Sequence, residues 1–573
     1  MMLSLMLFIL NVSAQEEQEI IEHMGDRYVI NVDALNPDKE MTLMDVLQIC
    51  PELLSEDGKV LSSDYEIRMD NVVLMMDYET LMVGLKASEI STVEIYLYTS
   101  VSTGGGGRAG TIDIYLKEQE DGKTSGKVQL EGSTRGNGKG YVDVITRSGN
   151  VTFRGYALTN LKHAKGTLED GEWFSSRQGL ENIHLNVDWN ISDRDNLKIK
   201  LFQYFQDGYQ KVDVEQKPFL RVSELNRYWG LVGSYTHTFN DKGATLLAEC
   251  GVDYNNSKTS EIHQRDNFTY FFAETNIPCL NNDLNILAGW EIDYYNMWAK
   301  DFDRCQMMYN DLYLQLDYTK GPWVLALGDR LRMVNYWHRT YDTADASLWK
   351  HNRTQNSYLA SVGYKTGGHF LQGVFSSDYN TPLIYNFYLF EENLNHRAYN
   401  THISTNMVYN AEARYTYQQG DFVLNGNFLH SWTTKSLLAD ERYTGVKTSV
   451  TWRKGPFRLT AGADYFHGYV NGHDAGNEID RHDNFFNIRL LPTLLLDHGL
   501  RFNSKLLYRS RTNMLVETPA HFYASLKVSK DLGRHCTISA DIHDLLGSQK
   551  MTLLQVGSSY DYFAATFGFT YRF

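Results

Sequence analysis

The sequence predicts a membrane all-β protein, an antiparallel transmembrane β-barrel of about 22 strands preceded by a small mixed α/β domain. Three observations lead there. Strand after strand is two-faced: Ile183, Leu185, Val187 and Trp189 alternate with His184, Asn186, Asp188 and Asn190, so one face meets lipid and the other a wet lumen. The connectors between such stretches are alternately tight and long. Beyond the amino terminus no run of 18 apolar residues occurs, so a bilayer would be crossed by strands. In hydrocarbon every backbone polar group needs an internal partner, which for strands means a closed barrel.

Composition agrees. A mean hydropathy of -0.41 is too low for a bundle of membrane helices, but it suits strands in which every second residue faces lipid. Aromatics make up 13 % of the chain and include 38 Tyr, material for two interfacial girdles, while only 9 Pro interrupt 573 residues. A net charge of -16 argues against nucleic acid as a partner. Cys50, Cys250, Cys279, Cys305 and Cys536 lack ligand-like spacing, so neither a disulfide framework nor a metal cluster is expected, and no cofactor is implied.

In chain order, residues 1–14 read as a signal peptide. An apolar run from Leu3 to Leu10 leads to Val12-Ser13-Ala14 and then Gln15, with small residues where a signal peptidase cuts. Residues 15–26 form a short polar leader. Residues 27–117 do not read as barrel strands: they combine a helical segment over 42–54 with short β runs at 28–32, 93–98 and 111–116.

Several blocks in this domain carry a likeness. They are Met44-Asp45-Val46-Leu47-Gln48 followed by Pro51, the hairpin residues Tyr65 to Asn71, and above all the stretch Gly104-Gly105-Gly106-Gly107-Arg108-Ala109-Gly110-Thr111-Ile112-Asp113-Ile114. The domain resembles the plug of TonB-dependent outer-membrane receptors, in which a glycine-rich turn leads into a strand of the type Gly-Gly-x-Ile-Asn-Ile. Here Ala109 replaces one glycine and Asp113 the asparagine. Gly104, Gly107, Gly110, Ile112 and Asp113 are the positions that match. The resemblance implies a plug held in the barrel lumen, TonB as a periplasmic partner, and a TonB-contact segment in the leader. Glu19 to Glu22 and Tyr28 to Val32 are candidates for that segment, the second reading better as the first plug strand.

Residues 118–573 supply the barrel. Alternation marks 22 segments, the first at 128–134 and the last at 562–573, and tight connectors fall at 148–150, 192–196, 240–243, 281–283, 320–322, 366–368, 418–421, 453–456, 497–499 and 531–534. Long segments at 159–179, 206–226, 337–356 and 378–405 lie between them. Short turns face the periplasm in such barrels and long loops face outward. In the final strand Phe569, Tyr571 and Phe573 share one parity, and this aromatic ending resembles the signal read by the barrel-assembly machinery, which with outer-membrane lipid is an expected partner.

Candidate ligand contacts are in the outer loops. His467, His473, Asp474 and His482 are of the type that holds divalent metal, weighed against a solvated polar loop. Tyr379, Tyr385, Phe387 and Tyr388 form one aromatic group, and Trp337 with Tyr341 another, suited either to stacking on a ligand or to packing loop against loop. No Ser/His/acid or Cys/His grouping supports catalysis, so an enzyme is not expected. Two functions are carried forward. One is an importer that binds a small scarce ligand outside and admits it by TonB-driven remodelling of the plug. The alternative is a passive porin-like or surface-complex barrel.

Overall fold

The computed structural model describes residues 20–35, 37, 41–47, 49–50, 53, 65–70, 72–73, 85–97, 110–167, 173–214, 217–259, 263–299, 304–339, 348–380, 406–434, 439–474, 477–513, 517–518, 520–545 and 564–573. The segment expected to be a signal peptide, Gly104, Gly107, Tyr341, Tyr385, Phe387 and Tyr388 lie outside this set.

The amino-terminal domain is a six-stranded sheet built from β1 (Ile21–His23), β2 (Arg27–Asn31), β3 (Tyr65–Met69), β4 (Val72–Val73), β5 (Ile90–Leu97) and β6 (Gly110–Leu116), in the order β1-β2-β5-β6-β3-β4. β3 and β6 run parallel; the other pairs are antiparallel. A short helix, α1 (Leu43–Leu47), packs on the sheet, and Thr42 starts it. The Thr42 backbone N–H and hydroxyl both donate to Asp45 Oδ2 at 2.8 Å while the Asp45 N–H returns to Thr42 Oγ1, a reciprocal cap for the first turn. Alternation places Ile30, Ile67, Val93, Ile95, Ile112 and Ile114 in one core with Leu43, Val46 and Leu47. That core runs on into the barrel wall through Tyr141, Tyr156, Leu158, Leu180 and Val423.

The barrel starts with β7 (Thr124–Ser133), β8 (Gly138–Ser148), β9 (Val151–Thr167), β10 (Trp173–Asn190), β11 (Asp195–Val214), β12 (Lys217–Thr238), β13 (Thr245–Thr259) and β14 (His263–Cys279). It continues through β15 (Leu284–Ala299), β16 (Arg304–Lys320), β17 (Trp323–Arg339), β18 (Leu348–Thr366), β19 (His369–Asn380), β20 (Asn406–Gln419), β21 (Phe422–Thr434) and β22 (Ala439–Lys454). β23 (Phe457–Asp474), β24 (Asn477–Leu496) and β25 (Leu500–Arg509) follow. A small separate hairpin, β26 (Thr512–Asn513) with β27 (Glu517–Thr518), precedes β28 (His521–Leu532), β29 (Cys536–His543) and β30 (Ala564–Arg572). Without that hairpin 22 strands close one antiparallel barrel, as the alternation predicts. β30 pairs with β7, and beyond it the N–H groups of Phe573 and Gly126 each donate to the other's carbonyl at 3.0 Å.

The two faces are chemically distinct. Ile183, Leu185, Leu312, Leu314, Leu327 and Phe567 are exposed on the outside, whereas Asn182, His184, Asp311, Arg330, Gln372 and Arg489 are buried toward the lumen. Trp323, Tyr364 and Trp452 stand on the outer face near the tight turns. Those turns need the left-handed region: Gly321 takes φ +58°, and Asn281, with no glycine available, takes φ 58°.

Several strands run well beyond the predicted segments. β17 and β18 stay paired to Arg339↔Leu348, so most of the described part of 337–356 is ladder instead of loop. Above the bilayer both faces of a strand are wet, so alternation ends while backbone pairing continues.

Candidate functional site

The amino-terminal domain is a plug held by lumen-facing side chains. Near the tight turns its first residues lie against the wall: Ser361 Oγ donates to the Gly25 carbonyl at 2.5 Å, Gln372 Nε2 to the same oxygen at 2.9 Å, and Gln315 Nε2 to Asp26 Oδ2 at 2.8 Å. The Ile21 N–H reaches Gln418 Oε1 at 3.1 Å. Arg453 Nη1 donates to the Leu35 carbonyl and Asn425 Nδ2 to the Ile49 carbonyl. Across the lumen Lys200 Nζ donates to the Met69 carbonyl at 2.6 Å, and Lys127 Nζ to Glu89 Oε2 at 2.7 Å. Burial pushes the Glu89 carboxyl up, but Lys127 and Arg154 outweigh it and hold the group below its usual range.

One arc of the wall is acidic. Glu249, Asp253, Glu274, Glu291, Asp293 and Asp311 face inward from β13–β16, and Tyr228, Tyr270 and Tyr313 hydroxyls donate to Asp253, Glu249 and Glu274. The plug turns Arg68 into their field. Burial works against its charge, yet Asp113, Glu249, Glu291 and Glu274 hold the Arg68 guanidinium above its ordinary value.

Farther from the tight turns, β14–β19 build an aromatic and charged wall. Arg330 Nε and Arg332 Nε each donate to Asp311 at 2.8 Å, and Arg330 also meets Glu291. The Arg332 guanidinium lies 4.7 Å from the Tyr309 ring and 5.1 Å from that of Tyr379. Phe268 stacks on Tyr295 with centroids 4.3 Å apart, Tyr295 meets Tyr309 edge-on, and Met307, Val334 and Tyr336 complete the cluster. Tyr379 is fully buried, and its hydroxyl has no hydrogen-bond partner among the described residues. Such a wall can stack a planar or apolar group and offers hydrogen bonds from tyrosines; its arginines are already matched by carboxylates.

The predicted site residues are distributed differently from the loop expectation. Tyr379 is at the end of β19, after that strand's last pairing with β18 at Tyr358↔Ser377, and joins the lumen wall. Trp337 is within β17, on the parity of the outward Leu325 and Leu327 and opposite to that of Arg332 and Tyr336. His467 and His482 also sit in strands, β23 and β24, on the outward parity. Their rings stack at 5.9 Å, and His467 Nδ1 lies 2.9 Å from Asn484 Oδ1. The backbones of His473 and Asp474 pair in β23 against β24; their side chains are outside the described set. Among the described residues no group of three or more His, Cys, Asp and Glu could hold a metal. In the plug, Gly110, Ile112 and Asp113 all lie in β6, and a Cβ on Gly110 would fall 2.0 Å from the Tyr96 carbonyl oxygen. Arg332, Tyr309 and Tyr336 were not singled out by sequence, where they are ordinary members of an inward-facing parity.

No protein-family model and no curated protein matches this chain. Solved structures do. The copper transporter OprC aligns over 96 % of this chain and 100 % of its own, with TM-score 0.73 and 11 % identity. The fold is that of the TonB-dependent receptors. The siderophore receptor PiuA from Acinetobacter baumannii aligns over 98 % and 99 % (TM-score 0.71, 11 % identity), and the ferric-catecholate import receptor Fiu from K12 E. coli over 96 % of both chains (TM-score 0.70, 11 % identity). At such identity the likeness is one of fold. The closed barrel with its apolar outer face is an outer-membrane structure, and the receptor fold accounts for the folded domain in its lumen.

Proposed function

We propose that this protein is an outer-membrane importer: it binds a small ligand at the outward end of its lumen and admits it when TonB, pulling from the periplasm, remodels the plug. One observation carries the reading. A six-stranded sheet inside a closed 22-strand barrel is fastened to opposite parts of the wall, so passage needs work done on the plug. Ligand contacts are assigned to Tyr309, Tyr336, Tyr379 and Arg332; the aromatic residues Tyr385, Phe387 and Tyr388, outside the described residues, remain candidates from the sequence. The similar fold of a copper transporter and a siderophore receptor supports a scarce-nutrient ligand without choosing one. Catalysis has no part in this reading.

The test is uptake in cells. Growth on limiting iron, copper or vitamin sources should depend on this gene on at least one source, and the dependence should vanish when TonB is lost. Bilayer conductance of the intact protein should be low and rise when residues 27–117 are removed. Large conductance from the intact chain, or uptake indifferent to TonB, would favour the passive porin or surface-complex alternative.

A further inference from the structure

The first strand of the plug carries a histidine in an unusual setting. His23 is about nine-tenths buried between two rings: it stacks on Phe370 of β19 with centroids 4.3 Å apart and planes 18° off parallel, and it meets Tyr28 of β2 edge-on at 4.6 Å. Among the described residues neither ring nitrogen has a hydrogen-bond partner. Around it, Ser361 and Gln372 hold the Gly25 carbonyl, Gln418 holds the Ile21 N–H, and Gly25 is so close to the wall that a Cβ would lie 2.7 Å from Ala326 Cβ. Ser361, Gln372 and Gln418 are all uncharged.

The charges that act most directly on the ring are two cations, Arg414 and Lys365. β18 brings Lys365, paired across the ladder with Phe370, and β20 brings Arg414, which bonds Glu412 and whose guanidinium is 5.5 Å from the Tyr28 ring. β19 offers Phe370 and the neutral Gln372, and β2 offers Tyr28. The nearby turn carries Asp26, which is engaged by Gln315 and Arg27. Among the described residues no carboxylate is hydrogen-bonded to either imidazole nitrogen.

We infer that His23 is a pH-sensitive latch, in which the neutral imidazole docks residues 20–27 on the barrel wall and its protonation frees that segment toward the periplasm. An imidazolium placed there would be buried without a partner and repelled by Lys365 and Arg414. The direction is consistent: burial, then Arg414 and Lys365, pull the His23 pKa down from 6.5 to about 3. Because the docked value lies below the free one, docking is fully favoured above pH 6.5 and weakens as pH falls below it. At pH 5 the docked-to-free ratio should have dropped about thirty-fold. If the importer reading is right, acid surroundings would present this segment to its periplasmic partner more often; the latch itself does not depend on that reading.

The experiment needs no ligand and no TonB. Amide hydrogen exchange of residues 20–31 is measured on the full-length protein in detergent from pH 7.5 to pH 5, corrected for intrinsic rates. Protection should fall with acid, and in His23→Phe, which keeps a stacking ring and cannot titrate, it should not. His23→Gln, of similar size and likewise unable to take up a proton, should also keep its protection in acid. Equal protection of the native chain at both pH values, or a parallel acid loss in His23→Phe, overturns the latch. Should His23→Phe fail to dock at pH 7.5, His23→Gln decides, and an acid loss in it parallel to that of the native chain overturns the latch.

Discussion

Gly110→Ala is expected to unfasten the plug while leaving the barrel intact. Gly110 opens β6 and pairs with Leu97 at the end of β5. An added Cβ would stand 2.0 Å from the Tyr96 carbonyl oxygen and 2.8 Å from Tyr65 Cε1. Ordinary contact needs more than 3 Å, so the β5 and β6 backbones must part by about 1 Å, and Tyr65 must shift as well. Overpacking of this kind costs about 1–3 kcal/mol, and one or two ladder hydrogen bonds weakened by the shift add about 1 kcal/mol each, for a total of about 2–5 kcal/mol. Small domains have little more than that in hand. Hydrogen exchange should therefore show β5 and β6 losing protection by a factor of about thirty or more, while barrel strands such as β23 and β24 are unchanged. Limited proteolysis of the plug in intact outer membranes offers a second reading. Native protection of β6 in the variant would refute the reasoning, because it would mean that the backbone absorbs the methyl group without losing its pairing.

Three further outcomes follow from the barrel. Deleting Phe573 removes the reciprocal backbone pair with Gly126 that extends the β30–β7 seam, so the yield of heat-modifiable barrel should fall; an unchanged yield would contradict a role in closure or assembly. Asp464→Asn leaves Arg489, buried and bonded to that carboxylate at 2.8 Å, without its counter-charge; a loss of about 3–5 kcal/mol should lower the temperature at which the folded band disappears on a gel. Changing His467, His473 and His482 together to Ala should leave metal-dependent growth as it was, since the two described rings face away from the lumen, and a sharp fall would restore metal capture as the leading idea.

How much the sequence reveals depends on where a residue stands relative to the membrane. Within the bilayer one face of each strand must be apolar, and so the strand count, the tight turns and even the weak first strand at 128–134 were readable. Farther out water lies on both sides and the code lapses: Trp337 reads as a loop aromatic although its backbone is still paired in β17, and His467 and His482 look like loop ligands although they lie on a ladder. The inward face poses the opposite difficulty. Arg332, Tyr309 and Asp311 differ in no local pattern from the other polar positions of their strands, and it is the register of β16 on β17, which sets Asp311 opposite Arg332, that brings them together. Tyr379 was visible as an aromatic near a long connector, but its inward turn depends on β19 parting from β18. In the plug Gly110 stood out only through its place in the resembling motif, and the close approach of the Tyr96 carbonyl that demands glycine there is seen in the structure alone.

The seam between β30 and β7 sets the order of events in building this molecule. The two strands are more than 400 residues apart in sequence, as the bond from the Ala565 N–H to Thr134 Oγ1 shows, and every other barrel pairing joins neighbours in the ring's sequence. Twenty-one interfaces can thus form as hairpins and meanders at small cost in chain entropy, and one cannot. Until that last joint is made the sheet has two raw edges, each a row of unsatisfied amides and carbonyls ready to accept another strand. A catalyst of assembly would have most to offer there, shielding the edges and handing one to the other, and a fault anywhere in the ring would show itself as a failure to close.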